Sequence, residues 1–399
     1  MSDNTLPAAF VTFGWCRSTY TVVRSLGARG VKVHVGDSSS LAMSRFSRFA
    51  STFTRLPDFY SEPENYVLTL SKAMKSVGAQ VLLPCFEDVQ TVLQHRELLA
   101  PDIKVGLPTL KDWADAEDKL DYIEIVERAG CPVPRTIKVS NRDEFDAHKK
   151  DLGFPIVVKA RSGHGARGVE ICSTERDLEE TFFRLIETYE LPATRWPILQ
   201  QYLNGRKFKL DGVFENGSPA GSCVFEILRC KGAAKFGTST FRKTVDAPDV
   251  VAYANAALGA LNWHGMFNTD WICDANGVPH LIDINGRLSG AVGVCYEGGV
   301  DLPWQWYQVS AGLGPIIKET AIPDTYVRWI LGDCIALVEQ LGGGNFGEIT
   351  SILKPKIGCR HDDFVLRDPL PFFAQFIDYF QKFIRSRGSL RPVSKEMVH

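Results

Sequence analysis

The stretch DWICDANGVPHLIDINGR, residues 270–287, carries the strongest structural signal in the chain. It predicts two strands, at 266–273 and 278–284, joined by a turn that contains Asn-Gly, a pair typical of tight hairpins. Asp270 and Asp283 stand thirteen residues apart. In such a hairpin they would lie side by side on neighbouring strands.

The polar side chains of this hairpin predict a metal and phosphate site. Asp283 and Asn285 share one face of their strand, because side chains two residues apart point the same way, and Arg287 continues the row. The oxygens of Asp270, Asp283 and Asn285 suit Mg²⁺ bound to phosphates, and Mn²⁺ shares this preference. The alternative is a solvated hairpin with an incidental ion pair. Asp283 argues against it, because an acid inside an apolar strand is costly unless it is paired or binds a metal.

A second motif predicts a phosphate-binding turn. Lys159 ends a predicted strand, and the residues after it, which include Ser162, Gly163, His164 and Gly165, form a glycine-rich segment. Glycine lets backbone N–H groups approach phosphate oxygens, and the lysine adds a positive charge. It is not a P-loop, because no Gly-Lys-Ser/Thr sequence opens a helix after it. A surface hairpin that needs glycine for its turn, with a solvated histidine, is the alternative.

A third segment, residues 197–205, predicts an extended strand after the glycine-rich turn. Its residues Gln200, Gln201, Tyr202 and Leu203 can offer backbone N–H and C=O groups to the edge of an adenine ring. An ordinary connecting strand is the alternative.

Two further basic residues are candidates. Lys119 follows Asp118 near the start of a predicted helix, and a surface lysine is its default interpretation. Arg242, next to Lys243, would bind a substrate carboxylate or an acyl-phosphate intermediate. The alternative for this pair is a solvated basic strand.

Composition and charge exclude several classes of function. The 399 residues carry a net charge of −2, which gives no basis for a nucleic-acid partner. The ten cysteines include no C-x-x-C pair, so zinc or dithiol chemistry is not expected. There is no signal peptide and no run of about 18 apolar residues, so we expect no transmembrane segment and a cytoplasmic location.

The first 110 residues alternate strands and helices, which predicts an open parallel α/β domain. The first turn after a strand, around Gly14, has one glycine where a dinucleotide fingerprint needs three, so NAD or FAD binding is not expected. A helix predicted over 115–130 then runs into Pro132 and Pro134, which marks a lobe boundary.

Taken in order, these motifs resemble the ATP-grasp superfamily, which includes biotin carboxylase, carbamoyl-phosphate synthetase and D-alanine–D-alanine ligase. The resemblance covers roughly residues 8–315. It rests on Asp118-Lys119, on the strand that ends at Lys159 with its glycine-rich turn, on residues 200–205, and on residues 282–287.

The resemblance implies that ATP and Mg²⁺ are the cofactors. Lys119 and Lys159 would contact the phosphates of ATP beneath a glycine-rich lid that closes over them. The backbone at Gln201 and Leu203 would hold the adenine. The acidic hairpin would coordinate Mg²⁺, and Arg287 would steady the reacting phosphate.

Three positions depart from the family pattern. Lys207 stands where an acid that reaches the ribose is usual, so Lys207 is the candidate contact to the sugar. Asp283 stands where glutamate is commoner, and Gly286 stands where proline is usual. None of these changes removes a phosphate-binding or metal-binding group, so we expect an active enzyme.

The predicted fold class is α/β and α+β. An N-terminal open parallel α/β domain at 1–115 precedes an ATP-grasp fold of two α+β lobes, one at 116–205 with the lid and one at 206–320 with the metal site. Residues 321–399 form a C-terminal extension.

The implied function is an ATP-dependent carboxylate–amine ligase, which forms an amide or peptide bond through an acyl phosphate and releases ADP and phosphate. The alternatives are a phosphotransferase that acts on a small metabolite and a non-catalytic nucleotide-binding module. A small carboxylate and a small amine would be the partners. The sequence predicts no oligomeric state.

The C-terminal extension contains apolar residues with helical spacing over 370–384, followed by basic residues as far as Lys395. Such a segment can be an amphipathic helix on a membrane surface. The favoured interpretation is a helix docked on the body of the protein, because its polar positions include Asp378 and glutamines.

Overall fold

The computed structural model describes residues 5–162, 168–231, 238–314, 316, 318–343, 346–354 and 356–385. Within these residues the chain forms three β-sheets with helices packed against them. Gly163, His164 and Gly165 of the predicted glycine-rich turn lie outside the described residues.

The N-terminal domain is an open parallel sheet, as predicted. Its elements are β1 (Ala9–Val11), α1 (Arg17–Ala28), β2 (Val33–Asp37), β3 (Ala50–Arg55), α2 (Pro63–Val77), β4 (Val81–Leu83), α3 (Asp88–Gln94) and β5 (Lys104–Val105). The strand order is β3-β2-β1-β4-β5, and all neighbouring strands are parallel. Because the chain crosses from one side of β1 to the other before β4, a crevice opens at the carboxyl ends of β1 and β4, the usual ligand position in such sheets.

The single helix predicted over 115–130 is two helices in the structure, α4 (Leu110–Glu117) and α5 (Lys119–Arg128). Asp118 separates them: its backbone is extended, and its carboxylate accepts hydrogen bonds from the N–H groups of Leu120 and Asp121. This N-cap satisfies donors that the first helical turn leaves unpaired. The break places Lys119 in the first turn of α5, where its side chain is buried.

The next lobe is built on a four-stranded antiparallel sheet. Its elements after α5 are β6 (Thr136–Ile137), α6 (Arg142–His148), β7 (Ile156–Lys159), β8 (Val169–Cys172), α7 (Glu175–Thr188) and β9 (Ile198–Gln201). The strand order is β6-β9-β7-β8. The buried rings of Phe145 and Phe182 pack together under this sheet, so the lobe has a small core of its own.

The large sheet contains the predicted hairpin of residues 270–287 and a second hairpin before it. Its elements are β10 (Lys207–Glu215), β11 (Ser218–Cys230), β12 (Ser239–Thr244), α8 (Pro248–Ala260), β13 (Gly265–Cys273), β14 (Pro279–Asn285), α9 (Gly293–Glu297) and α10 (Leu302–Ala311). Between β10 and β11, Asn216 and Gly217 both have positive φ, at 49° and 77°. This is the geometry that the Asn-Gly turn predicts.

The C-terminal segment completes the large sheet and returns to the N-terminal domain. Its elements are β15 (Tyr326–Arg328), α11 (Ile330–Gly343), α12 (Phe346–Leu353), β16 (Arg360–His361) and α13 (Leu370–Arg385). The sheet order is β14-β13-β10-β11-β12-β15-β16. Helix α13 then packs on the N-terminal domain, where the indole N–H of Trp15 donates to Asp378 at 2.6 Å. In the part of the chain that the structure describes, no helix is long and apolar enough to cross a bilayer.

The buried carboxyl of Asp211 on β10 predicts a pH-dependent stability. Burial raises its pKa to about 7, whereas an unfolded aspartate titrates near pH 4. The folded protein therefore holds this proton between those values, so stability falls as the pH rises from about 4 to about 7 and levels off above that. We expect Asp211→Asn, which cannot ionise, to remove this loss of stability. The loss amounts to roughly 1.4 kcal/mol for each unit by which the pKa in the folded protein exceeds the pKa in the unfolded chain.

The measurement is urea unfolding at mildly acidic and mildly alkaline pH. Asp102→Asn, at an exposed turn position, is the control and should follow the wild type. Parallel stability profiles for the wild type and Asp211→Asn would contradict the assignment.

Candidate functional site

The hairpin of β13 and β14 brings the predicted acidic residues together. Asp270 pairs with Asp283 across the two strands, and Asn268 pairs with Asn285. The side-chain amide of Asn285 donates to Asp270 Oδ2 at 3.3 Å, and Arg287 donates to Asn285 Oδ1 at 3.3 Å. The row of two carboxylates, an amide and a guanidinium is therefore continuous, as the strand period predicts.

Two buried lysines reach this row from other elements. Lys119, in the first turn of α5, lies with its Nζ 3.3 Å from Asp283 Oδ1. Lys159, the last residue of β7, donates through Nζ to the carbonyl of Ile282 at 3.1 Å. Burial lowers the pKa of Lys159 to about 8. Both predicted phosphate-binding lysines thus converge on the acidic hairpin.

Sequence reasoning missed Lys209. This residue lies on β10 opposite Asp270, and its Nζ is 3.0 Å from Asp270 Oδ2. It also donates to the side chain of Asn268 at 3.1 Å. The sequence pattern that could have indicated it is the alternation of Lys207 and Lys209, which puts both side chains on one face of a strand. That this face lies beside the hairpin follows only from the pairing of β10 with β13.

The donor set fits a magnesium ion. Asp270 and Asp283 offer carboxylate oxygens, and Asn285 offers the oxygen of its side-chain amide. Oxygen ligands of this kind are the ones that Mg²⁺ prefers. Each carboxylate already contacts a lysine, so its charge is compensated. A magnesium-bound phosphate brings both a cation for the carboxylates and an anion for the lysines, so these contacts can be exchanged without leaving a buried charge unpaired.

The predicted adenine segment lies at the end of β9. The side chain of Gln200 is buried and donates to the hydroxyl of Thr136 at 2.9 Å. The N–H of Gln201 donates to the carbonyl of Arg135 at 2.9 Å. Tyr202 and Leu203 follow the strand directly.

Two further candidates flank this segment. Lys207 is the first residue of β10. Ser162, next to the undescribed part of the glycine-rich turn, accepts a hydrogen bond from Arg195 at 2.9 Å.

Arg242 is not brought to the acidic hairpin. Its guanidinium is fully buried on β12 and is 2.8 Å from Asp362 of the C-terminal segment. Asp362 also accepts from Arg17, at 3.1 Å. The expected substrate contact thus forms an internal ion pair instead. Local sequence patterns could not predict this pair, because Asp362 lies 120 residues away.

The N-terminal domain contributes an acid that the sequence did not single out. Glu87 follows β4 at the predicted crevice, is 8% exposed, and lies 3.8 Å from the guanidinium of Arg287. The hydroxyl of Tyr60 donates to the other oxygen of Glu87. Arg287 also lies over the ring of Phe86, 5.3 Å from its centroid. The carboxyl end of β4 therefore lies beside the end of the acidic row.

Gly286 has a physical reason to replace the usual proline. Its N–H donates to Glu117 Oε1 at 3.3 Å, which a proline could not do. The rings of Trp113 and Trp263 leave no space for a side chain. Burial raises the pKa of Glu117 to about 7, so this carboxyl is only partly ionised near neutral pH.

The chain is similar to several known proteins. Two family models match adjoining parts of the chain: "Carbamoyl-phosphate synthase L chain, ATP binding domain" over residues 118–194, and "ATP-grasp in the biosynthetic pathway with Ter operon" over residues 195–331. Among curated proteins, the chain is 27% identical over 210 residues to the carbamoyl phosphate synthase large chain of Clostridium beijerinckii. The match covers 51% of this chain and 19% of that protein, so the chain spans about a fifth of the length of this relative.

Solved structures show the same fold. Biotin carboxylase from Campylobacter jejuni has a TM-score of 0.66 at 17% identity, over 82% of this chain and 75% of that chain. N5-carboxyaminoimidazole synthetase from Staphylococcus aureus, solved with ADP, has a TM-score of 0.65 at 18% identity, over 86% and 88%. Residues 118–331 thus match two adjoining ATP-grasp family models, and this part of the chain is assigned to the ATP-grasp superfamily.

Proposed function

We propose that this protein is an ATP- and magnesium-dependent carboxylate–amine ligase. It would activate a small carboxylate as an acyl phosphate, join it to a small amine as an amide or peptide bond, and release ADP and phosphate. The observation that carries the proposal is the convergence of Lys119 and Lys159 on the row that runs from Asp270 to Arg287. Such a set of charges suits the transfer of a phosphoryl group.

Asp270, Asp283 and Asn285 are the residues that would hold Mg²⁺, or Mn²⁺ in its place. The metal would neutralise charge on the phosphates of ATP. Lys119 and Lys159 would exchange their present contacts with the hairpin for phosphate oxygens. Both side chains are buried, and a buried cation attracts a phosphate more strongly than an exposed one, because water screens it less.

The nucleotide base would lie along the end of β9. There the backbone of Gln201 and Leu203 would hold the adenine, flanked by the side chains of Gln200 and Tyr202, and Lys207 would face the ribose. The glycine-rich turn after Ser162, with Gly163, His164 and Gly165, would cover the phosphates. In this arrangement the phosphates of ATP would lie beside the acidic row, with the last phosphate towards Arg287.

The carboxylate substrate would lie between Arg287 and the crevice of the N-terminal sheet. An oxygen of that carboxylate attacks the terminal phosphorus of ATP, the bond to the leaving oxygen breaks, and ADP departs. The amine then attacks the acyl carbon, loses a proton and expels phosphate. A carboxylate is a poor acyl donor until its oxygen becomes a phosphate leaving group, and for this reason the first step consumes ATP.

The proposal predicts that ADP release requires two partners. The purified protein is incubated with magnesium and ATP over paired pools of carboxylic acids and amines, and ADP and phosphate are measured. We expect turnover only when an active pair is present, with one ADP and one phosphate for each amide found by mass spectrometry.

Two results would contradict the proposal. Release of AMP would exclude an acyl phosphate as the intermediate. ADP release that needs no amine and yields a phosphorylated product would support a phosphotransferase instead.

Glu87 provides a second test, because it is the acid that faces Arg287. We infer that Glu87 is a positioning residue that holds the guanidinium at the end of the acidic row. Glu87→Gln keeps the size of the side chain and removes its charge. We expect kcat to fall about tenfold, which corresponds to about 1.4 kcal/mol of the barrier, while the KM for ATP stays close to the wild-type value.

The matched control is Glu97→Gln, at an exposed position in the same domain. It should behave as the wild type. An unchanged kcat in Glu87→Gln, or a loss confined to the KM for ATP, would rule out a positioning role.

A further inference from the structure

Arg17 has a buried nitrogen that no group of the protein uses. Arg17 is the first residue of α1, in the segment that follows the carboxyl end of β1, and it is 5% exposed. Its Nε donates to Asp362 at 3.1 Å, and its guanidinium lies over the ring of Trp329, 4.1 Å from the centroid. Its Nη2 is buried and has no hydrogen-bond partner among the described residues. A buried donor without a partner is costly, so its presence needs a physical reason.

This nitrogen faces Gly290, in the loop that leads from the acidic row to α9. Gly290 follows Arg287 by three residues and is partly exposed. A Cβ atom on Gly290 would lie 3.7 Å from Arg17 Nη2, and no other described residue, apart from its chain neighbours, would come within 4 Å of it. The φ angle of Gly290 is not positive, so the backbone does not require glycine there. Space for a small group therefore lies between the guanidinium of Arg17 and this loop.

The side-chain charges around Arg17 favour an anion in that space. Arg17 and Arg242 both donate to Oδ2 of Asp362, at 3.1 and 2.8 Å, so two guanidiniums share one carboxylate oxygen. The neighbouring Asp363 accepts instead from two backbone N–H groups at the start of α11. Burial raises the pKa of Asp363 to about 7, so it is only partly ionised near neutral pH. The two arginines therefore bring more positive charge than Asp362 neutralises, and a buried charge needs a partner.

Helix α1 adds to the positive potential. Its N-cap residue, Cys16, makes no side-chain hydrogen bond to the first turn, and that turn contains no acidic residue. The N-terminus of a helix carries a partial positive charge that favours anions. An anion beside Arg17 would therefore meet both a guanidinium and the positive end of a helix dipole.

A carboxylate is the anion that suits this position. The planar guanidinium matches the geometry of a carboxylate, and one guanidinium can balance its single charge. A phosphate monoester carries close to two charges near neutral pH, and Arg242, the second arginine of the cluster, is fully buried against Asp362. The position of Gly290, three residues after Arg287, also puts this space near the proposed site of the carboxylate that ATP activates.

We propose that Arg17 binds a carboxylate group of a substrate, distinct from the carboxylate that ATP activates. Either an acid substrate with a second carboxylate or an amine substrate that is an amino acid would supply it. Asp362, which Arg242 also holds, and the ring of Trp329 keep the guanidinium in place. The inference rests on the proposed ligase function, because that function makes the space beside Gly290 part of the substrate site.

The test is isothermal titration of the whole chain with two matched pairs of small molecules, with and without magnesium and a non-hydrolysable ATP analogue. Glutarate is compared with pentanoate, which lacks its second carboxylate, and L-alanine is compared with ethylamine, which lacks its carboxylate. We expect the molecule with the additional carboxylate to bind at least about tenfold more tightly in one pair. A preference for glutarate identifies the acid as the source of this carboxylate, and a preference for L-alanine identifies the amine.

Three variants test the part that Arg17 plays. Arg17→Gln should abolish the preference and leave the binding of pentanoate and ethylamine unchanged, and Asp362 keeps Arg242 as its partner. Arg17→Lys keeps the positive charge and should retain part of the preference. Gly290→Val fills the space beside the guanidinium and leaves its ion pair intact, so it should also reduce the preference about tenfold.

Two matched controls should bind as the wild type does. Arg24→Gln removes another arginine of α1 together with its ion pair to Glu297. Gly259→Val adds a side chain at an exposed position of α8. Thermal melting followed by circular dichroism checks that each variant is folded.

Equal affinities within both pairs for the folded wild type would overturn the proposal. An unchanged preference in folded Arg17→Gln would do the same, and if that variant does not fold, an unchanged preference in Gly290→Val decides against the proposal. The titration requires no turnover, so its outcome is separate from that of the ADP-release experiment. A protein that shows the preference and releases no ADP would retain the carboxylate site and lose the ligase assignment.

Discussion

The arrangement of the site depends on two lysine contacts that join separate parts of the fold. Lys119 at the start of α5 contacts the carboxylate of Asp283, and Lys159 at the end of β7 contacts the carbonyl of Ile282. Both partners, Asp283 and Ile282, lie on β14, so the two contacts connect α5 and the four-stranded sheet to one edge of the large sheet. Each lysine is buried, and a buried charge is stable only with a partner. A ligand that enters this junction must therefore supply an anion for the lysines and a cation for the acids.

A nucleoside triphosphate with its metal would meet both requirements. The acidic row begins beside Lys209 and ends at Arg287, where Glu87 of the N-terminal domain lies close by. The crevice between β1 and β4 thus adjoins the end of the row where a transferred phosphate would lie. All three sheets contribute to this region, and the site requires that their relative positions be maintained.

The sequence predicted the parts of this site that depend on local spacing. The register of Asp270 with Asp283 follows from the length of a hairpin, and the row to Arg287 follows from the alternation of side chains along a strand. Contacts between distant segments could not be predicted from local sequence spacing. Nothing near Arg242 pointed to its burial against Asp362, and nothing near Glu87 pointed to Arg287. Likewise the spacing predicted a helix over 370–384, whereas its docking on the N-terminal domain depends on distant contacts such as those of Asp378 with Trp15 and Ser39.

The most direct test of the central claim is isothermal titration of a non-hydrolysable ATP analogue with and without Mg²⁺. For the wild type, the account predicts one site whose affinity increases at least about tenfold with the metal. In Asp283→Ala this gain should largely disappear, while the metal-free analogue binds at least as tightly, because a repelling carboxylate beside Lys119 is gone. Asp246→Ala, at an exposed position between β12 and α8, is the control and should retain the full gain. An undiminished magnesium effect in Asp283→Ala would contradict the assignment of the acidic row as the metal site.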